Sequence, residues 1–200
     1  IMTLNSFQIE NDNVEIAVEV PEVNGLEDKV LEARINLAIQ KRIDEANEGI
    51  QERAEEYKEA YFATGGTEEG YKPIQAEVGY EVKYINDKYM SFLVYQFESL
   101  ASAYTDFTYY NFDLEENREV TLEDLFGETY LEIINKEMND QIEIMKQNPE
   151  NMFFEVDMGF KSIREDQSFY INEDGQVVIC FDKYEIAPGY MGSIEIIIKE

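Results

Sequence analysis

Between Leu26 and Phe62, the residues Ile35, Ile39, Ile43, Ala46, Ile50, Ala54, Tyr57 and Tyr61 recur every three to four positions, with Glu, Lys and Arg between them. That spacing is the helical period, and it predicts one amphipathic helix about 55 Å long at 1.5 Å per residue. Such a helix constrains the whole chain, because its apolar stripe needs a partner surface long enough to cover it. Asn24 is the expected N-cap, and Gly65-Gly66 the expected stop. Just upstream the period changes to two: Val14, Ile16, Val18 and Val20 share one face of a half-buried strand that Pro21 should end.

Downstream, Ile74, Ala76, Val78, Tyr80, Val82 and Tyr84 alternate, Asn86-Asp87 turns the chain, and residues 88–99 and 104–114 read as two further strands of a meander. Thr121, with Asp124 three residues on, announces a capped helical turn. A second helix is expected over 129–147, with Ile134, Met138, Ile142 and Met145 in register, and it ends before Pro149. Residues 150–166 carry no period. Residues 169–171 and 176–182 form a hairpin, and 193–199 a last strand. Strands interrupted by two helices predict an α+β fold: a mostly antiparallel sheet packed by one long and one shorter α-helix. We expect an N-terminal half over residues 1–118 and a C-terminal half over 119–200, packed as one body.

Charge and scarce residues narrow the function. Sixteen Lys and Arg stand against 44 Asp and Glu, a formal net charge of −28. Nucleic acid and anionic membrane are disfavoured partners, because their phosphates are repelled; a basic partner, or simply a very soluble surface, is favoured. There is no histidine, which removes His-based nucleophile activation and imidazole metal ligation. A single cysteine, Cys180, excludes an internal disulfide and a multi-cysteine zinc site. No phosphate-binding glycine motif is present, so we expect no cofactor. The chain begins at Ile1 without the stretches of a signal sequence, so any signal or anchor is expected to have been removed or never to have existed.

With acids this frequent, carboxylate pairs arise by chance, and solvated surface explains them better than acid–base catalysis. The Asn172–Gly175 turn resembles part of a calcium loop, but Tyr170 and Phe181 occupy positions where acids belong. Cys180, on a strand between Ile179 and Phe181, reads as buried and inert. More telling is where charge is missing. Residues 89–105 hold one charged residue, Glu98, and residues 186–194 hold none. The first stretch reads largely as a central strand. The second contains Pro188, Gly189 and Gly192, which disfavour a strand, so it should be a loop with Tyr190 and Met191 at its tip. An adaptable apolar anchor on a loop is the form of an interface hot spot; a plain structural turn is the competing reading.

Several strings resemble one family. Phe169-Tyr170-Ile171, Val177-Val178-Ile179 and the run from Phe181 through Ala187-Pro188-Gly189-Tyr190-Met191-Gly192 resemble the C-terminal signature of the RsiV-type anti-sigma factors. Ala101–Thr105 and Val120–Phe126 resemble it as well, and the order of elements is similar from about residue 7 to 199. The resemblance implies a single-pass membrane protein of Gram-positive bacteria that holds an extracytoplasmic-function sigma factor inside and exposes a receptor domain outside. It implies that the outer domain binds and occludes host lysozyme. Binding then makes the protein a substrate for signal peptidase and an intramembrane protease, releasing the sigma factor. This chain corresponds to the outer domain, a non-enzymatic ectodomain on the extracellular face of the membrane.

On that reading, Ser102, Ala103, Tyr104, Pro188, Gly189, Tyr190 and Met191 are the expected lysozyme-binding residues, with Pro188–Met191 entering the cleft. Ala103 stands where related sequences are expected to carry a second hydroxyl residue. Sigma-factor binding belongs to a cytoplasmic segment outside this chain, and signal peptidase is expected to act near or before Ile1. The alternative is an exported domain that binds peptidoglycan, accessory to a carbohydrate-modifying enzyme.

Overall fold

The computed structural model describes residues 2–100 and 104–199. Strand β1 (Met2–Glu10) pairs antiparallel with β2 (Val14–Val23) from Met2↔Val23 to Glu10↔Glu15. The connecting turn is closed by the Asn11 side chain, which accepts from the Asn13 and Val14 amides at 2.9 and 3.1 Å. In β2, Val14, Ile16 and Val18 are buried, as the alternation requires. The strand does not stop at Pro21 but runs on to Val23. The reason lies in its other edge. Strand β3 (Ile74–Ile85) pairs parallel to β2 only as far as Val18↔Val78. Val23 N–H, two residues beyond Pro21 and so on the same edge, turns to the Asn36 side chain at 2.7 Å instead of to a strand. The donor that proline lacks is not needed there.

Helix α1 (Lys29–Ala63) has 35 residues, about 52 Å at 1.5 Å per residue. Its cap is Asp28, not Asn24: the Asp28 carboxylate accepts from Val30 and Leu31 N–H at 2.8 and 2.9 Å. Asn24 instead donates its amide to the Thr3 hydroxyl at 3.0 Å. Leu31, Ile35, Ile39, Ile43, Ala46, Ile50 and Ala54 form the buried stripe. At the far end Thr64 caps the helix and Gly65 takes φ +92, a left-handed residue suited to glycine.

Two arginines of α1 reach strand residues. Arg42 donates to Thr108 Oγ1 at 2.7 Å, to Gln96 Oε1 at 3.0 Å and to Asp106 Oδ2 at 3.0 Å. Arg53 Nε donates to both oxygens of Glu98 at 3.0 and 2.9 Å, and the Glu98 side chain is only 2% exposed. Glu98 and Asp106 lie at the end of β4 (Tyr89–Glu98) and early in β5 (Tyr104–Asp113). With β6 (Arg118–Glu119) these strands complete a six-stranded sheet in the order β1-β2-β3-β4-β5-β6.

A second, antiparallel sheet has the order β7-β8-β9, from Phe169–Ile171, Val177–Phe181 and Ile194–Ile197. Helix α2 (Leu122–Phe126) begins with the expected reciprocal cap: Asp124 N–H donates to Thr121 Oγ1, and Thr121 N–H donates back to Asp124. The Arg118 guanidinium, hydrogen-bonded to Asp124, holds that carboxyl well below the usual range. Helix α3 (Tyr130–Met145) buries Ile134, Met138 and Ile142 in a core with Ile179, Phe181, Ile194, Ile196 and Ile198. Ser91 and Asn111 are buried but satisfied: Ser91 Oγ lies 2.7 Å from Asn111 Oδ1 and accepts from Ile171 N–H, and Asn111 donates to the Phe169 carbonyl. The fold is α+β, with the β2–β3 pair the parallel exception in a mostly antiparallel arrangement.

The chain forms two compact units that alternate along it, Ile1–Glu81 with Leu93–Thr108, and Val82–Phe92 with Tyr109–Glu200. No helix among the described residues is long and apolar enough to cross a membrane. In the second unit Cys180 is buried beneath Tyr109 and Tyr170, whose rings stack at 6.0 Å. Burial pushes its thiol up to about 12 from an ordinary 9.0. Between those values the unfolded chain binds fewer protons than the folded one, so stability should fall as pH rises through that window. At pH 8 a thiol reagent should label Cys180 only as fast as the protein opens, and rapid stoichiometric labelling of the native state would contradict this burial.

Candidate partner-binding turn

The charge-free segment after β8 is built in two steps. Beyond Phe181, Asp182 N–H donates to Glu185 Oε2 at 2.8 Å and Glu185 N–H to the Asp182 carbonyl at 3.0 Å. This tight turn puts Tyr184 at φ +71 and leaves it 65% exposed. An ion pair from Arg164 to Glu185 braces it. Ile186 and Ala187 then dip into the core. Pro188 is extended, and residues 189–191 form one 3-10 turn, with Met191 N–H on the Pro188 carbonyl at 3.0 Å and Gly192 N–H on the Gly189 carbonyl at 3.1 Å.

Tyr190 stands at the tip, 68% exposed, and its hydroxyl donates to the Glu150 carbonyl at 3.2 Å. Met191, expected beside it at the tip, is partly buried and packs on the core of α3 and the hairpin. The turn therefore offers one exposed ring and is rooted by its neighbour. Gly189 lies under the ring of Tyr184, where a Cβ would fall 2.2 Å from a ring carbon. Gly189 thus lets a second exposed tyrosine lie across the turn, a residue that the spacing of Pro, Gly and Tyr did not single out. Lys183 Nζ sits 5.3 Å from the Tyr184 ring centroid. What the arrangement can do is bury aromatic area against another molecule.

Gly192 closes the turn at φ +67 and ψ −152, a region that L side chains essentially do not adopt. Gly192→Ala should cost about 1–3 kcal/mol in thermal or urea unfolding. An unchanged midpoint would mean the turn re-forms without this geometry. Of the other expected contact residues, Ser102 and Ala103 lie outside the described residues, and Tyr104 begins β5. Pro188, Gly189, Tyr190 and Met191 are brought together in one turn.

Comparison with known proteins covers nearly the whole chain. Residues 123–199 match the family model described as a protein of unknown function, DUF3298. Residues 8–98 match the model described as Deacetylase PdaC. The anti-sigma-V factor RsiV of Bacillus subtilis (strain 168) is 32% identical over 199 residues, 97% of this chain and 66% of that protein, so the chain spans just under two thirds of its curated relative. Among solved structures, a DUF3298 family member from Bacteroides fragilis superposes with a TM-score of 0.61 at 16% identity, covering 98% of this chain and 90% of that one. A second, from Pseudomonas aeruginosa PAO1, gives 0.51 at 10% identity, covering 99% and 89%. At those identities the two structures speak for the fold alone.

Proposed function

Because the chain is an RsiV-type domain, similar to that anti-sigma factor over 97% of its own length, we propose that it is the receptor part of a membrane-anchored anti-sigma factor, displayed outside the cell. It binds host lysozyme and occludes its cleft, and binding exposes the protein to signal peptidase and then to intramembrane proteolysis, which frees an extracytoplasmic-function sigma factor. The domain is a binding module, not an enzyme.

One observation carries the reading: an uncharged turn bearing one exposed tyrosine, Tyr190, in a chain of net charge −28. Animal lysozymes are strongly basic, so the body accelerates encounter over a distance of about one Debye length. Their cleft is lined by catalytic carboxylates, which repel an acidic segment but admit a neutral one. The Pro188–Met191 turn satisfies both conditions, attraction at long range and neutrality at contact. Ser102, Ala103 and Tyr104 are proposed to contribute a further contact.

Titration against a basic animal lysozyme should give saturable binding and a matching loss of muramidase activity. Raising the ionic strength should weaken the complex mainly through slower association. A muramidase that stays fully active at saturating domain would overturn the proposal. A second reading is favoured by the match of residues 8–98 to the Deacetylase PdaC model: a domain that holds glycan strands of the cell wall. Sedimentation with purified peptidoglycan in the absence of lysozyme separates the two.

A further inference from the structure

Residues 150–160 follow α3 and hold no regular element beyond one 3-10 turn, Val156–Met158. Two hydrogen bonds lay this segment beside the Tyr190 turn. Phe154 N–H donates to the Ile186 carbonyl at 2.9 Å, and the Tyr190 hydroxyl donates to the Glu150 carbonyl at 3.2 Å. The first is a backbone pairing and the second a side-chain contact, and together they hold residues 150–154 beside residues 186–190.

What the segment presents to solvent is unusual for so acidic a chain. Val156 is 82% exposed and Met158 68%, and Met152 is exposed as well. Val156 also sits at φ +56, and a β-branched side chain is a marked outlier in the left-handed region. Among the described residues three non-glycines have positive φ, Asn117, Val156 and Tyr184, and the last two flank the Phe154–Ile186 hydrogen bond in sequence. Strain of this kind persists only where neighbours impose it, and it collects at positions that contact ligands.

The neighbours are visible. Gly159 packs against the Phe154 carbonyl so closely that a Cβ would lie 2.4 Å from the oxygen, and Phe160 meets Phe181 edge to face at 5.8 Å. The same segment carries Glu150, Glu155 and Asp157, and the segment hydrogen-bonded to it carries Asp182 and Glu185. The nearby cations are engaged: Lys146 with Glu143 and Glu155, Lys161 with Asp157, Arg164 with Asp166 and Glu185. Exposed apolar side chains interspersed with acidic ones fit a cationic protein surface.

We propose that Met152, Val156 and Met158 form a second binding arm, which packs on the basic surface beside the cleft while the Tyr190 turn enters it. The inference rests on the lysozyme reading and adds residues to it. The test compares three variants of the domain against a basic animal lysozyme: Val156→Asn with Met158→Ser, Met152→Ser alone, and Tyr190→Ala. Asparagine tolerates the left-handed backbone better than valine, so the double variant should melt no lower than the parent. Its affinity should nevertheless fall at least ten-fold, and Met152→Ser should weaken binding in the same direction. Parental affinity in the double variant and in Met152→Ser, with Tyr190→Ala weakened, overturns the second arm and leaves the turn standing. A parent domain that does not bind at all overturns the reading beneath both.

Discussion

Replacing Tyr190 with alanine should weaken the complex with a basic lysozyme by about 2 kcal/mol or more, roughly thirty-fold in dissociation constant. The expectation follows from three features of the turn. The ring is 68% exposed, so its apolar area is free to be covered by a partner. Its hydroxyl already has an acceptor at Glu150, which limits the freedom lost on binding. The backbone beneath is held by two hydrogen bonds within the 3-10 turn and by the partly buried Met191, so the anchor is presented on a rigid base. Stability should scarcely change, because the lost contact is one exposed hydrogen bond. Isothermal titration gives the affinity and thermal unfolding the control. An unchanged dissociation constant would remove Tyr190 from the contact surface. Because the side chain is uncharged, the salt dependence of association should be the same in parent and variant.

The second large effect is on folding. Arg53→Ala should destabilise the first unit by about 3 kcal/mol, since removing one partner of a buried pair leaves the other charge without compensation. Glu98 is the buried member, 2% exposed, and Arg53 contacts both of its carboxylate oxygens while keeping part of its own side chain in water. Urea unfolding followed by circular dichroism measures the loss. Combining Arg53→Ala with Glu98→Gln should recover part of it, because a neutral amide is cheaper to bury than a lone carboxylate. If the double variant is as unstable as the sum of the two single variants, the two residues do not act as a pair. Ionic strength should have little effect on the difference, since a buried pair is weakly screened.

Most of the architecture was legible in the residues because it rests on periodicity. The three-to-four spacing of Ile35 through Ala54 gave α1, and Ile134, Met138 and Ile142 gave α3. Alternation in 74–85 and turn chemistry at Asn86 gave the meander; the Asn86 side chain indeed accepts from Lys88 and Tyr89 N–H. Strand β1 was not legible, because the alternation of Met2 and Leu4 changes phase before Phe7 and Ile9, and its residues are exposed almost throughout. The helix start was displaced from Asn24 to Asp28 because both side chains can cap, and only the three-dimensional path decides which one faces the amides.

The candidate site divides in the same way. Missing charge and the Pro-Gly-Tyr string marked residues 188–191, a local signal. The proximity of residues 150–154 to the turn left none: Phe154 and Ile186 pair across 32 positions, and no spacing along the chain encodes that pairing. Met191 is partly buried beside the exposed Tyr190, since a 3-10 turn sends successive side chains to different sides.

The alternation of the two units has a consequence for scission of the chain. Each unit takes two separate stretches, so the backbone changes unit after Glu81, after Phe92 and after Thr108. No single peptide bond can be broken to release both intact. A fragment ending at 92 would keep Arg42 and Arg53 but lose Gln96, Glu98 and Asp106, leaving two guanidinium groups stranded on the helix. Clipping anywhere in this middle region therefore divides at least one unit instead of liberating it.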